Sequence, residues 1–337
     1  MTRAAIVGTG YVARVHAWAL RELGVPVVAV CGRSSTEPFA QELGAAPYDE
    51  LVRLLETEQV DVLHVCTPNA LHAEQALAAL ARGVHVVCEK PLAVSTAESS
   101  SMVEAAARAG LVGATCYHVR GYPLVGQMRG EVEAGRIGAV TAVHGRYACD
   151  DLFVAPAGWR VDPAAAGPSY VVGDLGTHWL DLAEHVTGRR AVEVLAEFRG
   201  EPLEHYAALL LRLEGGIAGS LVLSAGFAGR KNQLLFECEG ETGGLTWDQE
   251  EPNVLLARSA TEPPRIVPKD AGPLARYPAG HAEGYGDAFR NVFARVYRAV
   301  AGEANDGYPT FADGHRGVAI VEAAVRSACE ARWVAVE

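Results

Sequence analysis

The chain has 337 residues, half of them hydrophobic and 21% charged, which is material for more than one packed core and rules out global disorder. Acidic residues outnumber basic ones 41 to 29, for a formal net charge of −12. That balance argues against a nucleic-acid partner, which wants a basic face, and against an anionic membrane surface.

Residues 3 to 115 alternate strand-like and helix-like segments. Ala4 to Val7 is a short apolar run ending in glycine, and Tyr11 to Leu23 has helical spacing. Pro26 to Cys31 reads as a strand, and Ser35 to Leu43 and Asp49 to Thr57 as helices. Asp61 to Cys66 and Val84 to Cys88 are strands on either side of a helix over Ala70 to Arg82. A helix from Thr96 to Ala109, capped by Ser95 or Thr96, leads to a last strand, Leu111 to Thr115. Strands alternating with helices imply right-handed crossovers and a doubly wound parallel sheet, the α/β class.

The rhythm changes near residue 120. A helix over Leu124 to Ala134 precedes a strand over Ala139 to Tyr147, and a Gly/Pro-rich passage leads to a helix from Leu175 to Val186. Five strand candidates follow: Val192 to Phe198, His205 to Leu213, Ile217 to Ser224, Gln233 to Glu239 and Gly244 to Trp247. Arg258 to Gly280 is the expected long loop, and helices near Glu283 to Val300 and Gly314 to Ala331 end the chain. This is an α+β pattern with a mainly antiparallel sheet. The expected organisation is a dinucleotide-binding domain over residues 1–120 and a second domain over 121–337.

The seven cysteines are odd in number and form no C-x-x-C pair, so free thiols in a reducing compartment are expected. The first residues, M-T-R-A-A-I-V-G, lack the features of a secretory leader, and no apolar run is long enough to span a bilayer. The expected location is the cytoplasm.

Gly8-Thr9-Gly10-Tyr11-Val12-Ala13 is G-x-G-x-x-A, set after the first strand and opening the first helix. The first glycine permits the tight turn, the second lets backbone approach a pyrophosphate on the helix N-terminus, and the small third residue allows close packing. The second strand ends Cys31-Gly32-Arg33-Ser34, with no carboxylate for a ribose 2′-hydroxyl before Glu37. Arg33 and Ser34 suit a 2′-phosphate, so NADP is expected over NAD. A solvated Arg33 resting on adenine would fit either cofactor.

Cys66-Thr67-Pro68-Asn69-Ala70-Leu71-His72 follows the third long strand, and Cys88-Glu89-Lys90-Pro91-Leu92-Ala93 follows the fourth. Both stand at carboxyl ends of parallel strands, where doubly wound folds bind ligands. The only lysines are Lys90, Lys231 and Lys269, in a chain that otherwise uses arginine. A lysine here hints that an ammonium is wanted, one able to polarise a substrate oxygen. The adjoining proline fixes the backbone, with a cis peptide one option. Further on, Asp174 and His178 in G-D-L-G-T-H-W-L-D are four apart and share a helix face. A neutral imidazole there is a suitable base. His178 as a core or capping residue, Asp174 as a helix cap, and a metal held by Asp174, His178 and Asp181 are the other readings. The last fits no standard ligand set, and no metal is expected.

These motifs in this order resemble the glucose–fructose oxidoreductase, inositol dehydrogenase and rhizopine catabolism family, Gfo/Idh/MocA, over essentially the whole chain. The resemblance implies a Rossmann domain followed by an open-faced sheet domain, assembled as a homodimer or homotetramer through that sheet. It implies hydride transfer between a nicotinamide cofactor and a secondary hydroxyl or ketone of a sugar, inositol or derivative. Lys90, His178 and Asp174 are then catalytic. Cofactor contacts fall on Gly8, Thr9, Gly10, Tyr11, Val12, Arg33, Ser34, Thr67, Pro68, Asn69, His72, Glu89, Lys90, Trp159 and Arg160. Substrate contacts fall on Lys90, Arg120, Tyr147, Asp174, Thr177 and His178. Arg120 also reads as a salt-bridge residue, and Trp159 as a buried aromatic. His16 and His64 carry no motif and read as structural. The rival functions are a redox-neutral lyase or glycosidase on a sugar conjugate, and a non-catalytic dinucleotide-binding regulator.

Overall fold

The computed structural model describes residues 2–154, 158–270, 272–303 and 307–337. Residues 155–157, in the Gly/Pro-rich passage after Tyr147, and residue 271, in the expected loop Arg258 to Gly280, lie outside the described residues. The chain divides into two compact units, Met1–His118 with Tyr285–Val318, and Val119–Gly284 with Ala319–Glu337. The expected single division after residue 120 is therefore corrected: the segment Tyr285–Val318 belongs with the first unit.

In the first unit six parallel strands, β1 (Ala4–Val7), β2 (Val27–Cys31), β3 (Ala46–Tyr48), β4 (Val62–Val65), β5 (His85–Cys88) and β6 (Gly113–Thr115), run in the order β3-β2-β1-β4-β5-β6. Order reverses across β1, where β2 pairs on one side and β4 on the other. Such a switch point leaves a crevice at the strand carboxyl ends. The crossover helices are α1 (Tyr11–Glu22), α2 (Thr36–Leu43), α3 (Leu51–Thr57), α4 (His72–Leu80) and α5 (Thr96–Ala109). Helix α5 begins where Ser95 accepts the Glu98 N–H, and ends at Gly110 in the left-handed conformation. β1 and β4 are buried at every position, as a sheet covered on both faces demands. One face is closed by the helix Tyr285–Val300, whose Phe289, Val292, Phe293 and Val296 pack with Val62, Val87, Ala114 and Cys116.

The second unit holds nine strands: β7 (Val140–Ala148), β8 (Ala191–Arg199), β9 (Tyr206–Leu213), β10 (Ala218–Ser224), β11 (Gln233–Gly240), β12 (Gly243–Asp248), β13 (Leu255–Ser259), β14 (Arg265–Val267) and β15 (Val334–Ala335). Their order is β14-β13-β12-β11-β7-β10-β9-β8-β15. β7 and β10 pair parallel and the other pairs are antiparallel. The helix Thr177–Thr187 lies against β7 and β11, with the Trp179 Nε1–H donating to the Leu235 carbonyl at 3.0 Å. The edge strand β14 and the end of its neighbour β13 occupy part of what the sequence presents as loop; both are short, and β14 has a ladder on one side only. Among the described residues no helix is long and apolar enough to cross a membrane.

Candidate active site

The first unit presents its chemistry at the carboxyl ends of β1, β2, β4 and β5. Gly8 follows β1 with φ +107°, and a Cβ there would stand 2.3 Å from the Cys66 carbonyl oxygen. Only glycine lets the turn pass this close to β4. Gly10 caps α1 in extended conformation, and no side chain occupies the cap. A Cβ on Gly10 would meet nothing within 4 Å, and no acidic residue lies in the first turn. The helix N-terminus therefore offers backbone N–H groups into open space. This is a cradle suited to a dinucleotide pyrophosphate. Ala13 is fully buried against the sheet, and Tyr11 is 73% exposed at the rim with Val12 half-buried behind it.

Beyond β2, Arg33 and Ser34 are exposed, and the Thr9 hydroxyl donates to the Ser34 carbonyl at 2.7 Å. Glu37 lies in the first turn of α2. Beyond β4, Thr67 donates its hydroxyl to Gln75 at 2.7 Å, and Pro68 precedes a 3-10 turn over Asn69–Leu71. His72 is buried, with Nε2 at 2.9 Å from the Thr67 carbonyl and Nδ1 at 2.8 Å from the Pro91 carbonyl. Burial holds this imidazole below its usual range, against the opposing pull of the two carbonyls. His72, expected as a cofactor contact, ties the loop after β4 to the E-K-P loop.

The Lys90–Pro91 peptide is cis. Glu89 is buried and Lys90 half-buried. Burial alone would raise the Glu89 carboxyl. The hydrogen bond and charge of His16, with the charge of Lys90, overcome it and hold the group at about 2. His16, read as structural from sequence, engages Glu89 from behind, and His64, read the same way, stands behind His16.

In the second unit the D-x-x-x-H element adopts an unexpected form. Val172–Gly176 is a π-helical turn running into the α-helix Thr177–Thr187, so Asp174 stands on the turn and His178 in the first turn of the helix. Such turns recur at functional sites. Glu204 anchors it, accepting from the Ser169 hydroxyl and from the backbone N–H groups of Tyr170 and Val172 at 3.1 Å. Asp174 accepts the Arg160 Nε–H at 3.1 Å, and Arg160 lies over the Trp159 ring at 4.8 Å. His178 is buried, with the Tyr147 ring centroid 6.2 Å from its own. Tyr147 donates its hydroxyl to Asn232 at 2.7 Å, and burial keeps that phenol well above its usual value.

Two expected substrate contacts look different in three dimensions. Arg120 is buried in a two-pronged pair with Asp181, Nε to Oδ2 at 2.8 Å and a second nitrogen to Oδ1. Thr177 is fully buried and donates its hydroxyl to the Gly173 carbonyl at 2.9 Å. Both are engaged within the unit. With Asp181 taken by Arg120 and Asp174 by Arg160, the carboxylates beside His178 are already neutralised by guanidinium groups.

Residues 2–117 match the family model described as "Oxidoreductase family, NAD-binding Rossmann fold", and residues 125–246 match the GFO/IDH/MocA C-terminal domain. The chain belongs to the Gfo/Idh/MocA oxidoreductase family. It is 31% identical to an uncharacterised oxidoreductase of Bacillus subtilis (strain 168), over 82% of this chain and 77% of that one. It is 26% identical to a levoglucosan dehydrogenase of Pseudarthrobacter phenanthrenivorans, over 98% and 96%. Among solved structures, an inositol dehydrogenase homologue of Azotobacter vinelandii complexed with NAD+ superposes with a TM-score of 0.91 at 30% identity, over 99% of this chain and 97% of that one. The Gfo/Idh/MocA relatives named here are oxidoreductases, and the lyase and regulator readings gain no support from them.

Proposed function

We propose that this protein is an NAD(P)-dependent dehydrogenase or reductase that interconverts a secondary hydroxyl and a ketone on a sugar, an inositol or a related compound, with Lys90 and His178 as its catalytic residues. The observation that carries the reading is the E-K-P loop itself: an ammonium-bearing residue at a strand carboxyl end, backed by a buried carboxylate, in a unit whose first helix opens onto a dinucleotide cradle. A nicotinamide dinucleotide held at the Gly8–Gly10 cradle would supply the acceptor or donor for the carbon-bound hydride. His178 takes the hydroxyl proton, and the Lys90 ammonium stabilises the developing alkoxide. Asp174, held by Arg160, orients the hydroxyl or the imidazole, and Tyr147 walls the His178 ring. Arg120 and Thr177 are assigned to holding the His178 helix rather than to touching substrate.

Arg33 and Ser34 support NADP over NAD: both are exposed at the end of β2, and Thr9 pins the Ser34 backbone. The seven cysteines are free, six of them buried, which supports a reducing compartment and the cytoplasm. The outward face of the nine-stranded sheet supports a homodimer or homotetramer built through it.

A panel of sugars, inositols and sugar acids, scanned with NADP and with NAD while reduced nicotinamide absorbance is followed, tests the reading. A rise with one substrate class supports it, and a cofactor that binds without turnover of any member overturns it. In the same assay Arg33→Ala is expected to lose the preference for NADP. A wild type that prefers NAD removes that assignment.

A further inference from the structure

Two histidines that no motif explains, His16 on α1 and His64 on β4, are fully buried. A polar ring persists in an apolar core only where its nitrogens are engaged. Here they form one chain. The Tyr297 hydroxyl, on the helix Tyr285–Val300, stands 3.0 Å from His64 Nε2, and His64 Nδ1 stands 2.9 Å from His16 Nδ1. His16 Nε2 stands 3.0 Å from Glu89 Oε1, and Glu89 Oε2 accepts the backbone N–H of Lys90 at 3.2 Å. Phe289 and Phe293 wall the His16 ring, at 5.6 and 4.7 Å between centroids.

Proton bookkeeping narrows what this chain can do. An ionised carboxylate only accepts, so His16 must aim an N–H at Glu89 from Nε2. Two arrangements complete the ladder. In one, His16 accepts at Nδ1 from His64, which accepts from the Tyr297 hydroxyl. In the other, a charged His16 donates to His64, which donates to Tyr297. Both leave an N–H on Glu89.

Around Glu89 and His16 lie three thiols and three further imidazoles. Burial pushes the thiols of Cys66, Cys88 and Cys116 well up, and the charge of Glu89 adds to it. Burial also holds the imidazoles of His64, His72 and His118 down, the last at about 3. The charges that lower the Glu89 carboxyl are those of His16 and Lys90.

We propose that His16 is a positioning residue for Lys90: it holds the Glu89 carboxylate on the Lys90 backbone N–H, where its charge acts on the ammonium, and His64 and Tyr297 fix the His16 ring from the far side. The inference rests on Lys90 being the catalytic ammonium. Charge coupling is mutual, so removing the Glu89 charge, or the N–H that maintains it, lowers the pH at which Lys90 loses its proton.

The chain's three lysines make the test direct. The full-length protein, carrying lysine labelled at Cε and Nζ, is titrated by NMR, with the Lys90 signal assigned by its loss in Lys90→Met. Relative to wild type, the Lys90 midpoint is expected to fall by about one pH unit in Glu89→Gln, and by part of that in His16→Phe and Tyr297→Phe. The alkaline limb of kcat/KM moves with it. Midpoints unchanged in Glu89→Gln and Tyr297→Phe overturn the proposal. Those two variants keep the side-chain shapes and decide the matter should His16→Phe not fold. A Lys90 midpoint that moves as expected in a protein oxidising no substrate leaves the chain standing and removes the catalytic assignment instead.

Discussion

Lys90 and His178 are asked to do different work, and their variants separate it. Lys90→Met is expected to lower kcat by about 100-fold or more while dinucleotide affinity, read by fluorescence titration, stays within a few-fold of wild type. His178→Asn removes the proposed base and is expected to cost about 10²–10⁴ in kcat, with loss of the limb that reports its deprotonation. Arg120 is a contrasting case. Its guanidinium and the Asp181 carboxylate are both buried, so removing one strands the other in low dielectric. Arg120→Met is expected to cost about 3–5 kcal/mol in urea denaturation, and the double variant with Asp181→Leu to recover most of it. A lowered substrate affinity at unchanged stability would restore Arg120 to the substrate site. From sequence the two residues gave no sign of meeting, being 61 positions apart. The fingerprint glycines, the lysine and the D-x-x-x-H spacing were legible because each is a local pattern with its own chemistry.

At the scale of elements, two turns position the residues of the proposed site. The β1–α1 turn depends on Gly8, whose positive φ and contact with the Cys66 carbonyl leave no room for a side chain. Gly8→Ala is expected to cost about 3 kcal/mol and to abolish dinucleotide binding, measured by denaturation and titration. The π-helical turn Val172–Gly176 depends on Glu204. Burial raises this carboxyl above 4.5, only partly offset by its bonds from Ser169, Val172 and Tyr170. A carboxyl raised in the folded state binds its proton more readily folded than unfolded. Its contribution to stability is therefore present below 4.5 and is lost as pH rises through the raised value. Melting across that window is expected to show the decline in wild type and a flatter profile in Glu204→Gln. An identical pH profile in the two proteins would exclude Glu204 as its source. A helix over Leu175 to Val186 was legible in the sequence, yet not the wider turn over Val172–Gly176 before it, which Glu204 stabilises from 32 residues downstream of Val172.

For the whole molecule, the outer face of the nine-stranded sheet is where assembly is expected. Leu210 is 49% exposed on β9, between buried Leu209 and Leu211, and Val192 is 39% exposed as the second residue of β8. Leu210→Glu is expected to shift light-scattering mass toward the monomer, and an unchanged mass would exclude this face. The sequence by itself determined the parallel unit, the antiparallel unit and the chemical motifs, because period, strand ends and glycine turns are written locally. It missed β3, three residues long with a proline, because such an edge strand exists only by virtue of its neighbour. Only tertiary structure decided that the helix Tyr285–Val300 returns to the first unit, and that His16 meets His64, 48 residues away, behind Glu89. Burial selects partners through space: a buried imidazole or guanidinium must find its counterpart wherever the chain brings one, and no local pattern records which that will be.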